Sequence, residues 1–141
     1  MKKQDFLSFL LKTTQAGQIE IRSILDSVMC PSLRSTLEAQ LWEYDSIETE
    51  VYSIALQRGW ELKELDPVIR RLTNRATRIR LTGRSTDSRI ADIMIRRNTA
   101  AFIKGLQNFN ALQNDDMQIR ILSQKLLDCE TAGIRKLQTF L

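Results

Sequence analysis

At 141 residues, with 43% hydrophobic and 27% charged side chains, the chain has the length and balance of one globular domain rather than of a disordered segment. The absence of histidine excludes imidazole metal ligands, Ser-His or Cys-His nucleophile pairs and a histidine pH switch. No apolar run approaches the roughly 20 residues of a membrane span, and Ser8, Lys12, Thr13 and Thr14 break the N-terminal run too early for a secretory signal, so a cytoplasmic protein is expected.

Two prolines and five glycines punctuate an otherwise continuous helical periodicity. The spacing predicts a first helix over roughly Lys3 to Met29, with Phe6, Leu10, Gly17, Ile21, Ile24 and Val28 on one face. It stops at Cys30-Pro31, where a second helix starts and runs to Gly59 with Leu33, Leu37, Leu41, Tyr44, Glu48, Val51, Tyr52 and Ala55 inward. So short a break makes the two an αα-hairpin.

Asp66-Pro67 reads as the N-cap and first position of a shorter helix, closed by Gly83, with Val68, Leu72, Ala76 and Ile79 inward. Ser85 or Thr86 caps a fourth helix over Asp87 to Leu112, with Ala91, Ile95, Asn98, Phe102, Leu106 and Phe109 on one side. The last helix is predicted from about Asp115 to Phe140, with Ile119, Leu122, Leu126, Cys129, Gly133, Leu137 and Phe140 inward. Two long hairpins joined by a connection holding a short helix give a single-domain, all-α, antiparallel four-helix bundle over residues 1–141.

Most carboxylates fall off the apolar stripes, but Glu48 and Glu130 fall on them, with Asp45 at the stripe edge. These positions lie near helix midpoints, and the other two long helices carry Thr14, Gly17, Gln18, Asn98 and Thr99 at matching depth. A central polar layer of Glu48, Glu130 and Asn98 is therefore expected, bordered by Thr14, Gln18 and Asp45. Close carboxylates cannot both ionise cheaply, so a proton, a cation or an arginine should lie between Glu48 and Glu130.

This layout resembles the ferritin-like superfamily, whose di-metal sites sit at mid-bundle on a Glu from each of two helices and a Glu-x-x-His from each of the others. The matching windows here are Asp45-Ser46-Ile47-Glu48 and Glu130-Thr131-Ala132-Gly133, so Glu48 and Gly133 stand where the family places histidine. The stretch from Leu33-Arg34 through Glu48-Thr49-Glu50-Val51-Tyr52 to Arg58-Gly59-Trp60 is similar to the second helix of spore-coat-F-like members. That resemblance implies a bacterial, spore-associated source.

Three readings follow. Glu48, Glu130 and Asp45 could hold an oxygen-ligand cation such as Mn²⁺, Mg²⁺ or Fe²⁺. Alternatively the layer is structural, satisfied by Asn98, Gln18, Thr14 or a tyrosine hydroxyl, and the protein is a non-catalytic binding or assembly module with no cofactor. This second reading is preferred.

The third concerns charge. Residues 1–66 carry a net −4 and residues 67–141 a net +8, with Arg70, Arg71, Arg75, Arg78, Arg80 and Arg84 crowding the short helix and its exit, and Arg89, Arg96 and Arg97 following. Such a patch can neutralise phosphates, yet no helix-turn-helix spacing or aromatic platform accompanies it. Association of unlike surfaces into a homo-oligomer is preferred over a merely solvated face and over nucleic acid, and no membrane or small-molecule substrate is indicated. Trp42 and Trp60 are expected to pack, Trp60 as a cap contact after Gly59, and Cys30 and Cys129 to be buried or semi-buried thiols.

Overall fold

The computed structural model describes residues 1–71, 86–112 and 116–141. Four long helices form: α1 (Lys3–Ile24), α2 (Pro31–Arg58), α4 (Asp87–Ala111) and α5 (Met117–Leu137). Single 3₁₀ turns, Leu25–Ser27 and Gln138–Phe140, extend α1 and α5. The short helix α3 lies in the connection between the hairpins, and its residues 67–71 are described. The rest of that predicted helix, with Leu72, Ala76, Ile79, Arg75, Arg78, Arg80, Gly83, Arg84 and Ser85, lies outside the described residues, as does Asp115.

Helix ends follow the capping chemistry in the sequence. The Asp66 carboxylate accepts the Val68 N–H at 2.8 Å, Thr86 Oγ1 accepts the Arg89 N–H at 3.1 Å, and Asp116 Oδ1 accepts the Ile119 N–H at 3.4 Å. Gly59 takes the left-handed conformation (φ +66°) that ends α2, with its N–H donated to Leu56 O and that of Trp60 to Ala55 O. Trp60 folds back on the core under the Arg58 guanidinium, 5.0 Å from the ring centre. α1 stops five residues before the predicted Met29, because Arg34 Nη2 donates to Leu25 O at 2.8 Å and to Val28 O at 3.4 Å, holding this stretch as a turn.

Two aspartates at helix starts fix the topology. Asp87 accepts the N–H groups of Met29 and Cys30 at 3.0 and 2.9 Å, so α4 begins beside the start of α2 and runs parallel to it. Asp116 meets Arg58 at the end of α2 and Lys3 at the start of α1, so α5 begins where α2 ends. Between α2 and α3 the chain runs along α1, held by three polar side chains. Gln4 Nε2 donates to Glu61 O at 2.7 Å, Ser8 Oγ accepts the Lys63 N–H at 3.1 Å, and Gln15 Oε1 accepts the Leu65 N–H at 2.9 Å. This satisfies backbone groups that would otherwise be orphaned against the core.

The core pairs α1 with α2, α4 with α5, and α2 with α5. Its positions recur every three and four residues: Leu33, Leu37, Gln40, Tyr44, Ile47, Val51 and Ile54 on α2. That is the 3.5-residue repeat of a left-handed seam. The sequence-derived stripes on α1 and α5 match the buried positions, except that Phe140 is half-buried. Those on α2 and α4 are rotated. Gln40, Ile47 and Ile54 replace Leu41, Glu48 and Tyr52, while Ile90, Met94 and Gly105 replace Ile95, Phe102, Leu106 and Phe109. A 3.6-residue wheel drifts against a 3.5-residue seam, and over 28 residues the drift exposes the wrong flank. Val68 and Trp42, expected to pack, are exposed.

Candidate functional site

A polar layer does occupy the middle of the core, but its members differ from those expected. Thr14, Gln18, Asn98 and Glu130 are buried. Glu48 is only half-buried and accepts a 2.6 Å hydrogen bond from Gln18 Nε2 at the α1–α2 boundary. Asp45 is exposed. Thr14 turns its hydroxyl onto Leu11 O of its own helix at 2.8 Å. The expected meeting of Glu48 with Glu130 does not occur, because the 3.5-residue seam places Tyr44, not Glu48, opposite Glu130.

Glu130, 1% exposed, instead faces Tyr44 and Arg97. The Tyr44 hydroxyl donates to Glu130 Oε2 at 2.8 Å, and Arg97 Nη1 lies 3.2 Å from the same oxygen. Arg97, with 10% of its side chain exposed, also reaches α1: its Nε pairs with Glu20 at 2.5 Å and its Nη2 donates to Thr13 O at 3.3 Å. Its Nη1 further donates to the Tyr44 hydroxyl and to Asn98 Oδ1, and its guanidinium lies over the Tyr44 ring, 5.1 Å from the centre. Gln40 Nε2 closes the network, donating to the Tyr44 hydroxyl and to Asn98 Oδ1 at 3.1 Å each. One guanidinium thus ties all four long helices together.

Two glycines make room for this knot. A Cβ on Gly17 would stand 2.7 Å from the Tyr44 ring and 2.8 Å from Arg97 Nη2, and one on Gly133 would stand 2.7 Å from Asn98 Nδ2. Gly133 therefore admits the Asn98 and Gln40 amide pair.

Electrostatically, one cation serves two carboxylates. Burial pushes the Glu130 carboxyl above its ordinary value, against the pull of Arg97 and of the Tyr44 hydroxyl. Burial likewise raises the Tyr44 phenol well above its ordinary value. For Arg97, burial disfavours the cation, but the Tyr44 oxygen that accepts its hydrogen bond and the Glu130 and Glu20 carboxylates outweigh it and the guanidinium stays protonated. Cys129 is buried and its thiol is raised by that burial and by Glu43.

Arg97 is the residue that sequence reasoning grouped with the basic surface and left out of the layer. A signal was present: it adjoins the inward Asn98, and an inward Glu130 requires a cation. Among the described residues, no group of three or more His, Cys, Asp or Glu side chains is arranged to hold a metal ion. Of the basic patch, Arg70 and Arg71 are described, and both are exposed.

The fourth seam of the bundle is open. α1 and α4 touch only sparsely, leaving a trough of about 680 Å³ between them. Its α1 wall is Phe9, Thr13, Ala16 and Glu20, and its α4 wall runs from Arg89 through Ile93, Arg96, Ala100 and Ala101 to Lys104, with Arg97 as the floor. No family profile, curated protein or solved structure matches the chain. No helix among the described residues is long and apolar enough to cross a membrane.

Proposed function

We propose that this protein is a non-catalytic helical bundle that works as a binding and assembly module, associating with further copies of itself through unlike surfaces. The observation that carries this reading is two sets of exposed apolar side chains in opposite charge settings. Along the outer face of α2, Trp42 (71% exposed) and Leu56 (85%) share a stripe with Glu38 and Asp45. At the crossover, Val68 (62%) and Ile69 lie open beside Arg70 and Arg71. Exposed apolar surface rimmed by charge marks an interaction site, and contact between two different patches makes a heterologous interface.

The mid-bundle groups support the non-catalytic part. Glu130, Tyr44 and Arg97 are committed to one another beneath the surface, so the one fully buried carboxylate of that level among the described residues is held in an ion pair. The one-crossover order and the mid-helix Glu130 fit a ferritin-like layout in which an ion-pair knot stands in place of a metal site. Size-exclusion chromatography over a range of concentration and salt tests the assembly. Larger species at low salt, reduced by high salt and by Trp42→Ala or Arg70→Glu with Arg71→Glu, are expected. A monomer under every condition overturns the reading, and salt-sensitive retention of duplex DNA or RNA in a filter assay favours the nucleic-acid alternative.

A further inference from the structure

We propose that the trough between α1 and α4 binds a free single-chain amphiphile with a carboxylate head. This site is separate from the association surfaces above, and its size, lining and charge each restrict the occupant.

The α4 wall, Arg89 to Lys104, spans 15 helical steps, roughly 22 Å, so a volume of about 680 Å³ leaves a cross-section of roughly 30 Å². An α-helix with its side chains, about 10–12 Å across, is too wide to sink into such a section and would rest on its rim. A polymethylene chain can enter.

The stretch toward Lys104 is lined by Phe9, Ala16, Ala100 and Ala101, whose side chains offer no hydrogen-bonding group, and by Thr13, whose hydroxyl is already donated to Phe9 O of its own helix at 3.0 Å. A polar chain placed there would lose its hydration without replacement, whereas a hydrocarbon gains about 0.8 kcal/mol per buried CH₂. From Arg96 to Lys104 this stretch runs roughly 12 Å, enough for a chain of about ten carbons.

The charge selects the head. Arg89, Arg96 and Lys104 line the lip, and the one acid in the trough, Glu20, is already bound by Arg97 at 2.5 Å. Among the described residues the exposed Arg96 pairs with Asp92 one turn away, a surface ion pair of small worth that an incoming carboxylate can replace. Arg96 and, two turns back along α4, Arg89 line the part of the trough away from Phe9, which sets the head toward Arg96 and the tail toward Phe9.

Isothermal titration of the full chain with decanoate, well below its micelle concentration, tests this. Saturable binding of one decanoate per chain is expected, with decanol about ten-fold weaker and decyltrimethylammonium not retained. Ala101→Phe should fill the trough and abolish binding, while Arg96→Glu, an exposed change that leaves the fold intact by circular dichroism, should weaken it about ten-fold. No saturable heat, equal affinity for the cationic amphiphile, or unchanged binding in both variants overturns the proposal. Binding only to anionic phospholipid vesicles would identify a membrane surface instead, and overturns it equally.

Discussion

Replacing Arg97 by methionine tests the central knot most directly. The substitution keeps an unbranched chain of similar reach but removes the only cation that touches Glu130 among the described residues. Glu130 is left with the Tyr44 hydroxyl, and a buried carboxylate stripped of its partner typically costs 3–5 kcal/mol. Glu20, which is more exposed, regains water and adds little. Against a total stability on the order of 5–15 kcal/mol, the loss is measurable by urea denaturation without unfolding the protein.

The pH dependence supplies the decisive signature. Burial already raises the Glu130 carboxyl, and without Arg97 a lowering influence is gone, so it rises further. Between the unfolded value and this raised folded value the native state binds the extra proton. Stability is therefore greatest near or below the unfolded value and falls as pH climbs through the folded one. The penalty should be about 3–5 kcal/mol at pH 8 and shrink by about half or more at pH 5. Adding Glu130→Gln should recover most of it, a coupling that a double-mutant cycle reads out. An equal loss at both pH values, or no recovery in the double variant, refutes the ion-pair reasoning.

Gly133→Ala should cost about 1–3 kcal/mol, because its Cβ would press on Asn98 and Gln40 amides held by mutual hydrogen bonds. Gly105→Ala meets only Leu127 Cδ2 at 3.2 Å and should be near neutral, since gained helix propensity offsets the contact; thermal melts compare the two. Asp116→Ala removes a helix cap and the Arg58 pair and should cost about 0.5–2 kcal/mol at neutral pH. The Arg58 hydrogen bond lowers the Asp116 carboxyl, so the wild-type advantage should persist above the unfolded value and vanish as denaturation is repeated at pH falling through the folded one. Native Cys129 should resist iodoacetamide at pH 8 and react once unfolded, which mass mapping of the labelled peptide detects.

Local signals in the sequence carried most of the fold. Asp66, Thr86 and Gly59 cap helices where their chemistry places them, and Cys30-Pro31 breaks the first hairpin. The core register on α2 and α4 was harder to read, because choosing between Gln40 and Leu41, or between Ile47 and Glu48, depends on how the partner helices supercoil. Ser8 and Gln15 illustrate the same dependence: they are buried polar residues whose partners, the backbone of Lys63 and Leu65, come from a connection distant in sequence. The polar level itself was legible from Asn98 and Glu130. Which arginine supplies its cation was not, since Arg96 and Arg97 are neighbours in sequence and only the rotation of α4 against its partner helices decides which one turns inward.

That divergence between adjacent arginines separates two properties of the molecule. Arg97 spends its charge on Glu20 and Glu130, so it stiffens the bundle and contributes little field to the trough above it. Arg96, Arg89 and Lys104 are placed on the lip, where exposed charge adds little to stability but acts on what approaches. The two sets are thus separable by substitution. Changes at Arg97 should move unfolding curves and their pH dependence, and changes at Arg96 should move ligand affinity while leaving those curves in place. The alanines of the open seam fit the same division: larger side chains at Ala16, Ala100 and Ala101 would close α1 onto α4 as the other three seams are closed, and the small ones leave the trough between them.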